Sequence, residues 1–425
     1  MSLLVDDPDH HDRLARESRR LLRFAAASRN AAAFGWLDDR GDLTPGRPDF
    51  LYVTCRMTHS FALGGLLGFP GAADLVDHGL AALRTTFADE HHGGWFTAVG
   101  PDGARADRKW AYPHAFVLLA TASASITGRP GARDLLEQAA EVLRTHFWDE
   151  EAGMLLEEWD AAFSTLSDYR GANANMHGVE AMLAAADATG DEAWLTRAER
   201  VAGRMVDAAH RHRWRLPEHY DAAWRPDHTY GSEHPDDPFK PYGTMPGHSL
   251  EWARLLLHLR AGLRAAGRAV PDWITRSAVA LAERAIADGW AADGAPGFVY
   301  TVDPEGRPLI RQRLHWVLCE ALGAAACLWR VTGDEIWAHR YAEWWSHAET
   351  AFIDPTGSWH HELDPAGRPA AKIRPGKADA YHALQATLLP RVTITASLAG
   401  SLAARRAAGG EAEPEADRPA GTMDA

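Results

Sequence analysis

Histidine titrates close to neutrality, so one imidazole can serve as base in one step and as acid in the next. Six of the 22 histidines recur at near-even intervals, each where a loop hands over to an apolar helical run. They are His59 (RMTHSFALG), His114 (AYPHAFVLLA), His177 (NANMHGVEAML), His248 (MPGHSLEWARLLL), His315 (QRLHWVLCEAL) and His382 (ADAYHALQATLL), separated by 55, 63, 71, 67 and 67 residues. This register predicts six equivalent helix starts converging on one site. A helix start carries unsatisfied N–H groups and partial positive charge, which favours the neutral, basic imidazole.

Two of the six have a carboxylate one helical turn on: Glu180 after His177 and Glu251 after His248. At that spacing a glutamate shares the histidine's face, can orient it and can raise its basicity. Such pairs on facing helices also suit a metal. The chain has no H-E-x-x-H motif and no cysteine beside the six, so acid–base chemistry without a metal is the expectation. Arg56, three residues before His59, can hold the carbonyl or hydroxyl oxygens of a sugar and stabilise enolate charge; an ion pair with a loop aspartate is the alternative. Asn173, four residues before His177, is placed to read a hydroxyl. Tyr52 and Trp316 offer stacking faces, or core packing. His59, His114 and His315 either bind hydroxyls or brace loops.

The elements that would position these residues are helical. Periodicity predicts helices over 10–33, 51–67, 72–88, 110–127, 131–147, 174–189, 191–211, 247–266, 271–289, 311–331, 334–351 and 377–402. The marker histidines fall on alternate members, which are apolar over more of their surface. The others carry one charged face, as an outer layer should. TGDEAW (189–194) and TGDEIW (332–337) repeat at the inner-to-outer junction. GGWFTAVGPDGAR, GFVYTVDPEGRP and GSWHHELDPAGRP read as β-hairpins on the return. Six hairpins of helices with one marker each predict an all-α fold, an (α/α)6 barrel over 1–403 rather than an open solenoid. Residues 404–425, poor in large apolar side chains, are expected to be disordered.

A formal charge of −14 argues against a nucleic-acid partner. Three cysteines without a C-x-x-C pair read as buried hydrophobes. The first thirty residues lack the pattern of a signal peptide, and no run approaches the roughly 18 apolar residues of a membrane span. A cytoplasmic protein without membrane contact is the expectation; nothing in the sequence assigns an oligomeric state. Seventeen tryptophans suit both packing and stacking on sugars.

RMTHSFALG, NANMHGVEA, PGHSLEWARL and KADAYHALQA, in that order, resemble the N-acylglucosamine 2-epimerase superfamily over roughly residues 10–400, and its aldose–ketose isomerase branch in particular. The resemblance implies an (α/α)6 barrel that interconverts sugars with neither metal nor organic cofactor. It implies that His248 and His382 are the acid/base pair, that Glu251 supports His248, and that Arg56, Asn173 and His177 bind substrate. His382 is then the base at C2, and a cis-enediolate lies between aldose and ketose. Lys240, in DDPFKPYGT, is placed to meet the far end of the sugar; with Asp236 and Asp237 beside it, a neutral hexose is expected over a sulfonate or phosphate. The expected reaction is D-mannose to D-fructose, with D-lyxose to D-xylulose as a possible second. The alternatives are a 2-epimerase acting on mannose and glucose or on a β-1,4-linked disaccharide, a glycoside hydrolase, which needs two carboxylates across the cavity, and a non-catalytic sugar-binding scaffold.

Overall fold

The computed structural model describes residues 3–409. An inner helix packed on both sides must be apolar all round, and the chain supplies six such segments. They are α2 (Leu51–Leu66), α4 (Ala111–Ile126), α6 (Ala172–Thr189), α8 (Pro246–Ala265), α10 (His315–Thr332) and α12 (Tyr381–Leu388). In α4 every residue from Ala111 to Ala124 is buried. The outer helices are α1 (Pro8–Ala26), α3 (Ala72–Thr85), α5 (Ala132–Val142), α7 (Ala193–Arg211), α9 (Trp273–Gly289) and α11 (Glu335–His347). In α1 burial follows a stripe through Leu14, Ser18, Leu21, Leu22 and Ala25, the mark of a helix covered on one face. Each inner helix packs on the next and α12 returns to α2, which closes the ring. The (α/α)6 barrel is therefore the fold, and the solenoid is not.

Two expected helices differ. The first ends at Ala26 instead of 33, because the Asn30 side chain accepts from the backbone of Ala32 and Ala33 and holds a turn there. The segment 377–402 is three pieces: α12, a 3-10 turn at Leu389–Arg391, and α13 (Leu398–Ala407). Pro390 has no N–H for the ladder, and the Ser397 hydroxyl caps the next start by accepting from Gly400 N–H. α13 packs on α2, α4 and α6 at the end where they terminate, opposite the histidines. α13 runs on to Ala407, past residue 403. Residues 410–425 of the expected disordered tail lie outside the described residues.

The expected hairpins form at the histidine end. Val99 bridges Arg105, Val302 pairs with Pro308, and Leu363 bridges Pro369. In two of them an aspartate opens the turn and an arginine closes it with an ion pair, Asp303–Arg307 and Asp364–Arg368, and Asp221–Arg225 repeats the device. Gly306 and Gly367 take φ of 90° and 79° in these turns, while Trp224 holds the same place at 58°. A second device joins three of the loops to the inner helices that follow, α4, α10 and α12. Buried Lys109 bonds Asp89, Arg313 bonds Asp293 and Lys377 bonds Asp354. These clamps fix where inner helices begin, and hence where their first residues point.

Candidate active site

The marker residues enter the ring at different depths. His315 is the first residue of α10, His382 the second of α12, His248 the third of α8, His114 the fourth of α4, His177 the sixth of α6, and His59 the ninth of α2. Equal spacing in sequence therefore does not mean equal position. His177, His248, His315 and His382 line one open-mouthed cavity. Tyr52, Arg56, Asn173, Glu251 and Trp316 line it too, as expected.

Four residues expected at the site lie elsewhere. His59 is beneath the cavity, with Nδ1 on Ser123 Oγ at 2.7 Å. His114 has both nitrogens engaged: Nε2 accepts from Trp95 N–H, which puts the hydrogen on Nδ1, donated to Trp110 O. Glu180 is under the floor, bonded by the Tyr381 hydroxyl. Lys240 points to Glu158, 3.6 Å away, and lies over the Tyr169 ring outside the cavity.

Two histidines share one arrangement. His248 Nδ1 is 2.8 Å from Glu218 Oε2, and His382 Nδ1 is 2.8 Å from Glu320 Oε1. An ionised carboxylate can only accept, so each Nδ1 carries the hydrogen and each Nε2 keeps its lone pair. Neither Nε2 has a hydrogen-bond partner among the described residues, and both rings line the cavity. Both carboxylates are themselves held: Glu218 Oε1 accepts from Met245 N–H and Glu320 Oε2 from Arg254 Nε–H. The support of His248 is therefore Glu218, not Glu251. Glu251 lies instead beside His177, with 3.7 Å between its Oε1 and the imidazole Nδ1. The indole of Trp316 lies between the two rings, its centroid 5.3 Å from His248 and 5.8 Å from His382. Gly247 makes room for it, since a Cβ there would meet the indole at 2.5 Å.

Arg56 and Arg374 bring positive charge to the cavity. Arg56 is held in place by its neighbours. Its Nη1 is 3.2 Å from Asp379 Oδ2, its Nη2 donates to Tyr112 Oη at 2.8 Å, and its Nε is buried without a partner. The ion pair with a loop aspartate is present, and the same guanidinium lines the cavity. Asn173 Oδ1 is likewise buried and unpartnered. Arg374, Asp379, His361 and Phe239 complete the lining and were not expected from the sequence. His361 stacks on His315 at 3.9 Å, and Arg374 donates to Pro238 O and lies over the Phe239 ring. These residues sit on irregular loops, where no periodicity marks them. Glu320 did have a signal, as the one charge in the apolar run HWVLCEALGAAACLW. His177, Glu180 and Glu251 approach closely enough for a cation, and the cation among them is the Arg254 guanidinium.

Burial, more than the helix dipole, keeps these imidazoles neutral. It lowers His177 and His315 to about 4 and His382 well below its ordinary value, with Arg56 acting in the same direction on His177 and His382. His10, His59 and His258 also fall to about 4 and His114 to about 3, burial first in each. A group whose folded pKa is depressed contributes stability above its unfolded pKa and loses it as pH falls through the window. For the five rings at about 4 the window runs from about 6.5 down to about 4, at roughly 1.4 kcal/mol per pH unit each. The thermal midpoint is therefore expected to fall by roughly 10 °C or more between pH 7 and pH 5. Thermal denaturation followed by circular dichroism checks this; an unchanged midpoint would contradict the neutral burial of these rings.

The model of the N-acylglucosamine 2-epimerase family (GlcNAc 2-epimerase) matches residues 33–386. The chain belongs to the N-acylglucosamine 2-epimerase family. Among members of known function, it is 49% identical over 408 residues to the D-mannose isomerase of Thermobifida fusca, covering 95% of this chain and 99% of that one. It is 46% identical over 401 residues to the D-mannose isomerase of Pseudomonas cannabina pv. alisalensis, covering 93% and 96%. A crystal structure of a D-mannose isomerase superposes with a TM-score of 0.83 at 26% identity, covering 91% of this chain and 98% of that one. The family assignment makes the chain an isomerase with a helical barrel, as its sequence motifs implied.

Proposed function

We propose that this chain converts D-mannose to D-fructose, with its own side chains as acid and base. The observation that carries the reading is the pair of imidazoles, each tied by Nδ1 to a buried carboxylate and each offering a free Nε2 to one cavity. The D-mannose isomerases at 49% and 46% identity, matched over nearly their full lengths, support the substrate. Of the two cations that line the cavity, Arg56 is paired with Asp379, and Arg374 is held by Pro238 O and the Phe239 ring.

The steps follow from the geometry. His248 removes the O1 proton of the pyranose and protonates the ring oxygen, which opens the ring to the aldehyde. His382 Nε2 takes the C2 hydrogen as a proton, the C2–H pair becomes the C1–C2 double bond, and the carbonyl pair moves to O1. Arg56 and Asn173 hold the oxygens of the cis-enediolate that forms. His248 carries a proton from O2 to O1, and the His382 imidazolium returns its proton to C1, leaving the C2 carbonyl of the ketose. Trp316, between the two rings, offers the sugar an apolar face.

Epimerisation would need the proton to reach the opposite face of C2, and a hydrolase would need an acid and a carboxylate across the bond. No helix among the described residues is long and apolar enough to cross a membrane. The three buried thiols are unpaired, which supports a reducing, cytoplasmic setting. Incubating the protein with D-mannose and identifying products by NMR tests the reading. D-Fructose is expected; D-glucose without fructose would replace the isomerase by an epimerase.

A further inference from the structure

Arg254 on α8 is buried beneath the cavity floor and does not line the cavity. Its guanidinium reaches three carboxylates. Nε donates to Glu320 Oε2 at 2.8 Å, Nη2 lies 3.4 Å from Glu251 Oε1, and Nη1 lies 3.7 Å from Glu180 Oε1. Glu251 comes within 4.8 Å of Glu320 on one side and of Glu180 on the other. Arg56 is close, yet its two amino groups are committed to Asp379 and Tyr112. Three buried carboxyls around one bonded cation cannot all be ionised, so one of them keeps a proton.

We propose that Arg254 is a positioning residue for the isomerisation: it keeps Glu320 the ionised acceptor of the His382 Nδ1–H and leaves the shared proton on Glu251, at the cavity wall. The inference rests on His382 being the base of the proposed reaction. Glu320 has the shortest bond to the guanidinium and the His382 ring on its other oxygen; burial raises its carboxyl, and Arg254 opposes that. Glu180 accepts from the Tyr381 hydroxyl and faces His177, both of which favour its charge. Glu251 has the longer, 3.4 Å contact to Arg254 and a carboxylate on either side. Burial and the Glu320 charge accordingly push the Glu251 carboxyl well above the ordinary range. The groups facing Glu320 are thus Glu251 and Arg254 from α8, His177 and Glu180 from α6, and His382 from α12.

The test is the pH dependence of kcat/KM for D-mannose in the full-length protein and in R254M, R254K and E180Q. Removing the cation raises the Glu320 pKa, so the acid limb of R254M moves to higher pH, by roughly 1–3 units. R254K keeps the charge and moves it less. E180Q removes a competing carboxylate and moves the limb the other way. KM changes less than about twofold in each, because Arg254 and Glu180 lie outside the cavity lining, while R254M kcat at pH 7 falls roughly 10- to 100-fold. In an E320Q background R254M costs nothing further. A uniform loss at every pH, an effect on KM alone, or full additivity with E320Q would each overturn the proposal. If R254M does not fold, E180Q and R254K decide: limbs that stay in place in both overturn it. Turnover by the wild type in the same assay separates this outcome from failure of the isomerase reading itself.

Discussion

His382→Asn is expected to lower kcat for D-mannose by roughly three to four orders of magnitude, with KM nearly unchanged. The asparagine amide can still donate to Glu320, so the buried carboxylate keeps a partner and the fold persists. What disappears is the Nε2 lone pair, the one base that stands in the cavity with its other nitrogen fixed by a carboxylate on α10. Burial and Arg56 hold the ring unprotonated, so at neutral pH that lone pair is free to take the C2 proton. Steady-state kinetics with circular dichroism as a control of folding measures the effect. A loss of less than tenfold would place the base elsewhere.

The second large effect is expected from the carboxylates behind the histidines. In Glu320→Gln the amide must choose an orientation, and Arg254 Nε–H requires an oxygen on its side. The NH2 group is then turned to His382 Nδ1, which must accept. The tautomer inverts, Nε2 carries the hydrogen, and the cavity meets a donor where it needs a base. A comparable inversion in a catalytic triad lowers kcat by about 10^4, and a loss of roughly 10^2- to 10^4-fold is expected here. Glu218→Gln is subject to the same logic, because Met245 N–H also demands an oxygen. Its effect falls on the proton transfers at oxygen. The measurement is kcat for both variants; wild-type rates in both would refute the tautomer argument.

Both expectations turn on residues of unequal visibility. The six histidines showed the ring, because an inner helix must be apolar throughout and a polar residue at each start is conspicuous. They did not show depth: His59 lies on the ninth residue of its helix and His315 on the first, and loop clamps such as Lys109–Asp89 set those starts. The resemblance pointed to His248 and His382, and both line the cavity. Their partners were less legible. Glu251 shares a helical face with His248 by spacing, yet the ring turns to Glu218, which comes from the loop segment LPEHY in the preceding connection. Sequence spacing describes one helix at a time, whereas this contact crosses from a loop to a helix. The same limit hid Arg374, His361 and Asp379, all placed by the long connection between α11 and α12. Pro390 could have announced the break in the last helix, and the apolar run around it concealed it.

The central claim is that His382 moves the carbon-bound proton. Its most direct test is proton NMR of D-mannose incubated in D2O with wild type and with H382N. Wild type is expected to form D-fructose, with deuterium at one C1 position in those turnovers in which the His382 imidazolium exchanges its proton with solvent, and H382N is expected to give neither fructose nor exchange at C2 of mannose. Deuterium entering C2 or C1 at the wild-type rate in H382N would contradict that claim.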